Sequence, residues 1–246
     1  MNTCWHILRN TPWVALRNTR WLAVLMLAVA LPVAGCSTTQ NMSDYDRATQ
    51  ILGAAHATVE KFKASKEKPM DEFRALLPRA QGVVVLPGVL KGGFIVAAEG
   101  GNGVLLAKDA TGQWSQPAFY FMAAGSVGLQ MGGQATDVIL LVFSQHAVKS
   151  IIEHQGKLGA DLGLIIGTVG AGVEASTTTN VSADVMAFSQ GVGVFAGGSL
   201  EAAMMIKRND LNEAFYGQAL TPADIVLNGR ADHGATGGLR ASLNGQ

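Results

Sequence analysis

Residues 77–108, LPRAQGVVVLPGVLKGGFIVAAEGGNGVLLAK, mark the point at which apolar residues stop recurring every three or four positions and begin to alternate. Alternation with a period of two is typical of strands. Residues 82–86, GVVVL, are predicted to form a buried strand that ends at Pro87-Gly88. Residues 93–98 and 103–108 are predicted to form the next two strands, and the EGGN between them a four-residue hairpin loop whose glycines supply positive φ.

The strand pattern continues through most of the chain, and one helical segment interrupts it. Further strands are predicted over 119–123, 127–131, 138–143, 162–174, 183–188 and 192–207. The chain of 246 residues is 48% hydrophobic and 15% charged, which is enough apolar material for a large core, and its 30 glycines interrupt apolar runs rather than forming a polar linker. The predicted fold class is α+β: a curved, mainly antiparallel, glycine-rich β-sheet, partly barrel-like, with packed N-terminal, central and C-terminal helices.

The last predicted strand lies within residues 188–207, FSQGVGVFAGGSLEAAMMIK. At a period of two, one of its faces carries only apolar residues and glycine from Val192 to Ile206, whereas the other face is mixed. A straight strand of this length would span about 50 Å, so a bend or bulge is predicted at Gly197-Gly198. The small residues at this bend would let either a packed helix or a ligand approach closely, and a helix is the expected neighbour.

The predicted helices alternate polar and apolar faces at the helical period. The first helix, 43–66, has Ser43 as its N-cap and an apolar stripe that ends at Phe62. A short helix is predicted over 70–77, another over 145–155 behind a serine cap, and two more near the C terminus.

The first 35 residues have the features of an export leader. Three arginines precede an 11-residue apolar core, WLAVLMLAVAL, which is too short to span a bilayer. The core is followed by LPVAGCS, in which the small residues before Cys36 resemble the lipobox of bacterial lipoprotein precursors. This pattern predicts a lipoprotein-type signal peptide over 1–35, lipid attachment at Cys36 and a lipidated tether over 36–42. The alternative is an ordinary secretory signal with a chance cysteine.

The charge balance and the absence of motifs argue against several classes of function. The chain has 18 basic and 18 acidic residues, and three of the basic ones lie in the leader, so the remainder carries a small net negative charge that does not suit nucleic-acid binding. The sequence contains no HExxH, GxxxxGK[ST] or GxSxG pattern, and its carboxylates have no spacing that suggests an acid–base pair. We therefore expect no enzymatic activity, no cofactor and no metal.

Four ordered blocks carry a resemblance to a known family. They are the opening stretch 77–108, PAFYFMAAGSVGLQMGGQATDVILLVF at 117–143, LGADLGLIIGTVGAGVEAS at 158–176 and FAGGSLEAAMMIKRNDLNEAFYG at 195–217. Together they resemble the SYLF domain family, and the resemblance extends over residues 43–229. It implies binding of membrane lipids without catalysis, whereas actin binding belongs to some fungal members.

The resemblance also implies which residues contact lipid. In eukaryotic members the contact is attributed to a lysine-bearing amphipathic N-terminal segment, and the matching positions here are Lys61, Phe62, Lys63, Lys66 and Lys68. The alternative is a solvated helix end, where cations are favourable in any case. Because bacterial membranes generally lack polyphosphoinositides, only the binding of anionic or general phospholipid carries over.

The expected function is that of a non-catalytic phospholipid-binding lipoprotein of the bacterial cell envelope, facing the periplasm at the outer membrane. Nucleic acid is not an expected partner. The alternative is a structural or protein-interaction lipoprotein that the anchor merely positions, and an enzyme acting on lipids is the least favoured reading. Residues 230–246, rich in Gly, Ala, Ser and Asn, are predicted to form a disordered tail.

Overall fold

The centre of the fold, as described by a computed structural model of the chain, is a seven-stranded sheet. The described residues are 42–93, 96–127, 132–154, 164–168, 184–191 and 203–244. The strands are β1 (Gly82–Gly93), β2 (Val96–Ala107), β3 (Ala118–Val127), β4 (Gly132–Val142), β5 (Leu164–Thr168), β6 (Val185–Gly191) and β7 (Met204–Lys207). Their order across the sheet is β5-β6-β4-β1-β2-β3-β7.

Among the described residues the sheet is open, and all but one of its strand pairs are antiparallel. Only β5 and β6 run parallel to each other. Closing a barrel requires its two edge strands to pair, and β5 and β7 lie at opposite edges in the part of the chain that the structure describes. The α+β class and the mainly antiparallel sheet are confirmed, whereas the expected partial barrel is not formed by these strands.

The helices of the described residues pack on both sides of the sheet. They are α1 (Asp44–Ala64), α2 (Lys68–Leu76), α3 (Gln145–His154), α4 (Asn209–Tyr216), α5 (Pro222–Val226) and α6 (Gly237–Ser242). The predicted cap of α1 is confirmed, because Oγ of Ser43 accepts a hydrogen bond from the backbone N–H of Asp46 at 3.1 Å. Ser144 caps α3 in the same way, accepting from the N–H of Ala147 at 3.1 Å.

Each side of the sheet has its own hydrophobic core. On the side that we call the front, residues from α1, α2, α4 and α6 pack against the sheet. On the back, α3 and α5 pack against the alternate residues of the same strands. Burying a large apolar side chain contributes about 1.5–3 kcal/mol, so both layers of helices stabilise the sheet substantially.

The strand β1 contains a bulge at the point where it was predicted to end. Leu86 pairs with Val138 of β4 and Val89 pairs with Thr136, so β1 has one extra residue between these two pairs. Gly88 in the bulge has a φ of 61°, a left-handed conformation that glycine adopts without steric cost. Because Pro87 and Gly88 lie in the bulge, the strand continues to Gly93 instead of ending.

The extra residue reverses the direction of the side chains that follow it. Leu86, before the bulge, faces the back core, and three residues later Val89 faces the back core as well. Leu90 therefore points to the front and Lys91 to the back, the opposite of their directions in a regular strand.

The EGGN segment, residues 99–102, is not a hairpin loop. It lies inside β2, which pairs with β1 on one side and β3 on the other, and its glycines have no positive φ. A Cβ at Gly101 would lie 3.1 Å from Cα of Val89, and a Cβ at Gly103 would lie 2.2 Å from the carbonyl oxygen of Val85. These glycines therefore make room for the bulged strand beside them rather than for a turn.

The C-terminal segment 230–244 is not disordered. A short 3-10 helix (Gly234–Thr236) leads into α6, and Leu239 and Leu243 are buried in the front core. The composition was misleading because it does not show that these two leucines are buried and that Arg240 bonds to the carbonyl oxygen of Trp114. The compact unit of the chain runs over Ser43–Gln246, so the domain extends beyond its predicted end at residue 229.

Only the two ends of the stretch 188–207 belong to the described residues. Residues 188–191 complete β6, and Met204–Lys207 forms β7, with Met205 buried in the back core. The predicted bend at Gly197-Gly198, and with it the choice between a helix and a ligand as its neighbour, lies outside the described residues.

Replacing Gly88 by alanine tests the importance of the bulge. Alanine at a φ of 61° is strained, so the free energy of unfolding is expected to fall by about 1–2 kcal/mol. Gly92→Ala is the matched control, because Gly92 lies in the same strand with nothing within 4 Å of the added Cβ. Urea denaturation followed by circular dichroism measures both variants. Equal losses of stability would contradict the role assigned to Gly88.

Candidate functional site

The predicted lysines lie at the end of α1 and in its connection to α2. Lys61 and Lys63 belong to the last turn of α1, Lys66 lies in the connection, and Lys68 begins α2. The backbone of the connection is held by Arg74 of α2, whose Nη1 donates to the carbonyl oxygen of Lys63 at 3.1 Å and to that of Ser65 at 2.6 Å. The lysines are therefore presented from a fixed backbone.

Lys61 is bound to the sheet. Its Nζ lies 2.7 Å from Oδ2 of Asp137 in β4, and Oδ1 of the same carboxylate accepts the N–H of Gly88 at 2.9 Å. The side chain of Lys61 is nevertheless 49% exposed, and an ion pair at such a position contributes only about 0–1 kcal/mol. Lys61 therefore ties α1 to the bulge and still adds positive charge to the surface.

Phe62 and Lys63 face the protein interior. Phe62 is completely buried, and its ring packs edge-on against that of Phe73 in α2 with centroids 5.6 Å apart. Nζ of Lys63 donates to the carbonyl oxygen of Ser242 in α6 at 3.0 Å. The prediction that Phe62 contacts lipid does not fit this fold, because the apolar stripe of α1 packs on the front core.

Lys66 and Lys68 are surface residues, like Lys61. Both are exposed, and neither forms an ion pair with another described residue. The adjacent Ser65 accepts a hydrogen bond through its Oγ from Nε2 of Gln190 in β6, at 3.1 Å, which places the connection beside that strand. Cys36, the predicted lipid-attachment residue, lies outside the described residues.

An ion pair that was not predicted lies buried beyond the bulge. Nζ of Lys91 is 2.7 Å from Oε1 of Glu99, its direct cross-strand partner in β2, and the two side chains are 7% and 0% exposed. Leu90, beside Lys91, is 65% exposed on the front. This end of the sheet therefore buries charge and exposes apolar surface, the reverse of the usual distribution.

The front residues of the sheet beyond the bulge, each exposed or half-buried, form a surface that we call the distal face. Its members are Ala135 of β4, Leu90 and Gly92 of β1, Ala98 and Gly100 of β2, Phe121, Ala123 and Gly125 of β3, and Met204 and Ile206 of β7. The strand register shows that they point to one side, because Ala135, Leu90, Gly100, Ala123 and Met204 are successive cross-strand partners. Every member is apolar or glycine.

A row of polar contacts separates the distal face from the helix-covered half of the front. The polar row consists of Gln190 in β6, Asp137 in β4 and Asn102 in β2. Gln190 and Asp137 hold Ser65 and Lys61, as described above. Oδ1 of Asn102 accepts a hydrogen bond from Nη1 of Arg208 at 2.6 Å. Arg208 also hydrogen-bonds Asp210, which lowers the pKa of that carboxyl and keeps the pair charged.

Three further observations concern other kinds of site. Among the described residues, no helix has the length and hydropathy needed to cross a membrane. In the same residues, no group of three or more His, Cys, Asp or Glu side chains could hold a metal ion. A polar cavity of about 470 Å³ lies between the β2–β3 connection and α6, lined among others by Gln113, Trp114, Arg240 and Asn244. The cavity contains none of the predicted lipid-binding residues.

Glu99→Gln tests how strongly the buried ion pair constrains the sheet. The substitution leaves the ammonium group of Lys91 buried without its counter-charge, so the free energy of unfolding is expected to fall by about 3–5 kcal/mol. The double variant Lys91→Met/Glu99→Leu removes both charges and is expected to recover most of this loss. Guanidinium denaturation of the three proteins measures the difference. A double variant no more stable than Glu99→Gln would contradict the electrostatic explanation.

Comparisons with known proteins identify several relatives. The model of the Ysc84 family, described as "Las17-binding protein actin regulator", matches residues 123–245. LAS seventeen-binding protein 3 of Saccharomyces cerevisiae is 33% identical over 191 residues, which cover 76% of this chain and 40% of the yeast protein. Protein YSC84 of the same organism is 35% identical over 159 residues, or 63% of this chain and 33% of the relative. SH3 domain-containing YSC84-like protein 1 of Homo sapiens is 31% identical over 153 residues, which cover 62% of this chain and 44% of the human protein.

The chain spans less than half the length of these curated relatives. The family match runs to residue 245 and so includes α6, in agreement with the packing of that helix on the front core. The resemblance carried by the four sequence blocks is confirmed, and the chain belongs to the Ysc84 family of SYLF-domain proteins.

Proposed function

We propose that this chain is a non-catalytic phospholipid-binding lipoprotein of the bacterial cell envelope, facing the periplasm at the outer membrane. The lipobox-like residues before Cys36 support the anchor, and the SYLF resemblance supports the lipid ligand. The observation that carries the proposal is the exposure of Lys66 and Lys68 on a backbone held by Arg74. Two ammonium groups on a fixed backbone bind anionic head groups with little ordering of the main chain.

Within the predicted set, Lys66 and Lys68 contribute most to the proposed lipid contact. Lys61 and Lys63 already bond to Asp137 and to the carbonyl oxygen of Ser242, so they mainly hold α1 in place. The half-exposed Lys61 adds positive potential at the same corner of the molecule.

A protein-interaction role in the envelope is the second candidate. The family description favours it, because that description names a protein partner, Las17, for members of the family. In this case the anchor positions the chain and the lysines are only a solvated helix end. The two candidates differ in whether the isolated domain binds protein-free vesicles.

Lys66→Ala and Lys68→Ala test the lipid-binding proposal in the compact unit, residues 43–246. A lysine near an anionic surface contributes about 1 kcal/mol, so each substitution is expected to lower the vesicle partition coefficient about fivefold. Flotation with phosphatidylglycerol-containing vesicles at low salt measures the effect, and high salt should weaken the binding of the unaltered domain.

Lys149→Ala is the matched control for these variants, because Lys149 is also exposed but lies on α3 at the back. Its partition coefficient should match that of the unaltered domain. If the unaltered domain binds neither anionic nor neutral vesicles, and a stoichiometric protein partner is recovered from detergent extracts, the second candidate replaces the first.

Labelling with radioactive palmitate tests the anchor separately. The full chain expressed in a bacterium is expected to incorporate the label, and Cys36→Ala is expected to abolish incorporation, because the thiol of Cys36 is the proposed acylation site. Cys4→Ala is the control, since Cys4 lies in the predicted leader. Equal labelling of the Cys36→Ala variant and the unaltered chain would refute the lipobox assignment.

A further inference from the structure

We propose that the distal face enters the head-group and upper acyl region of an anionic bilayer while Lys66 and Lys68 bind the surface charge. This inference rests on the proposed lipid-binding function and names its apolar contact. The sequence resemblance assigned that contact to Phe62, which is buried against Phe73 and cannot make it.

The distribution of polarity beyond the bulge fits an apolar medium in front of the sheet. Burying the Lys91–Glu99 pair costs several kcal/mol of desolvation, and exposing Leu90 to water forfeits about 1.5–3 kcal/mol. A regular strand would avoid both costs, because it would turn Lys91 outward and Leu90 inward. A front surface that meets lipid instead of water makes the observed direction of Leu90 favourable.

The size and shape of the distal face fit a bilayer surface. It extends over five strands and three rows of residues, which is about 19 Å across the strands and about 13 Å along them. Apolar patches of this order on soluble proteins often have a function. The surface is flat around Gly100, because the ring of Phe121 lies across it, 2.7 Å from the position of an added Cβ.

The charges along the border of the distal face favour an anionic bilayer as its occupant. The polar row holds the cations Lys61 and Arg208 at the proximal edge of the apolar surface. Lys66 follows in the adjacent connection and Lys68 at the start of α2. Cations beside an exposed apolar face are typical of elements that lie in the membrane interface. The carboxylates at this border, Asp137 and Asp210, are each paired with a cation.

Fluorescent labelling of single cysteines tests the inference in the full chain. Cys4→Ser and Cys36→Ser remove the native thiols, and acrylodan is attached after Leu90→Cys or Ile206→Cys. Leu227→Cys is the matched control, because Leu227 is also an exposed large apolar residue but lies outside the distal face. Substitutions at exposed positions of this kind change stability little, so the variants are expected to fold.

Each acrylodan-labelled chain is added to vesicles of phosphatidylcholine and phosphatidylglycerol that contain a nitroxide-labelled lipid. The labels at positions 90 and 206 are expected to shift their emission to shorter wavelength and to be quenched, whereas the label at position 227 is expected to do neither. This result in chains that co-float with the vesicles supports the inference.

Two results would overturn it without affecting the proposed function. One is unshifted, unquenched emission from positions 90 and 206 in chains that float with the vesicles. The other is emission already shifted before vesicles are added, because a second copy of the chain or another of its own segments would then cover the distal face. Failure of residues 43–246 to float with anionic vesicles is a separate result, and it overturns the proposed function itself.

Discussion

The carboxylate of Asp137 is the contact on which the front of the sheet depends. One oxygen accepts the N–H of Gly88 in the bulge, and the other binds Lys61 at the end of α1. This exposed hydrogen bond helps to keep the extra residue of β1 in place. The same side chain therefore contacts both the end of α1 and the bulge that sets the direction of the β1 side chains beyond it.

The parts of the fold that depend on local sequence were predictable. Ser43 and Ser144 cap the helices they precede, and most of the strands occur near their predicted positions. The bulge was not predictable from Pro87-Gly88, because a proline and a glycine in sequence also end strands and only the pairing with β2 and β4 distinguishes the two outcomes. The wrong prediction for EGGN followed from the missed bulge. If β1 ended at Pro87, no bulged strand would lie beside these glycines, and a turn would be their only evident purpose.

The candidate site, too, was predictable only in the parts that depend on local sequence. The lysines at the end of α1 were found because their clustering is visible in sequence, but the stripe ending at Phe62 has the same pattern whether its partner is a core or a membrane. Tertiary packing decides between these, and here it selects the core. The Lys91–Glu99 pair and the distal face were missed because the bulge at Gly88 reverses the sides of the sheet to which the following β1 residues point. Counting the period-two alternation of β1 with one residue skipped at Gly88 would have predicted both the ion pair and the distal face.

The packing of α6 has a consequence for the order in which this protein folds. α1 stands at the beginning of the compact unit, yet it packs against α4 and α6, which follow the whole sheet in sequence. Contacts between such distant segments form late, because the entropy of closing the intervening loop is lost before the contacts repay it. A growing chain cannot complete the packing of α1 until α6 has been synthesised. The stability of α1 thus depends in part on residues almost two hundred positions further along the chain.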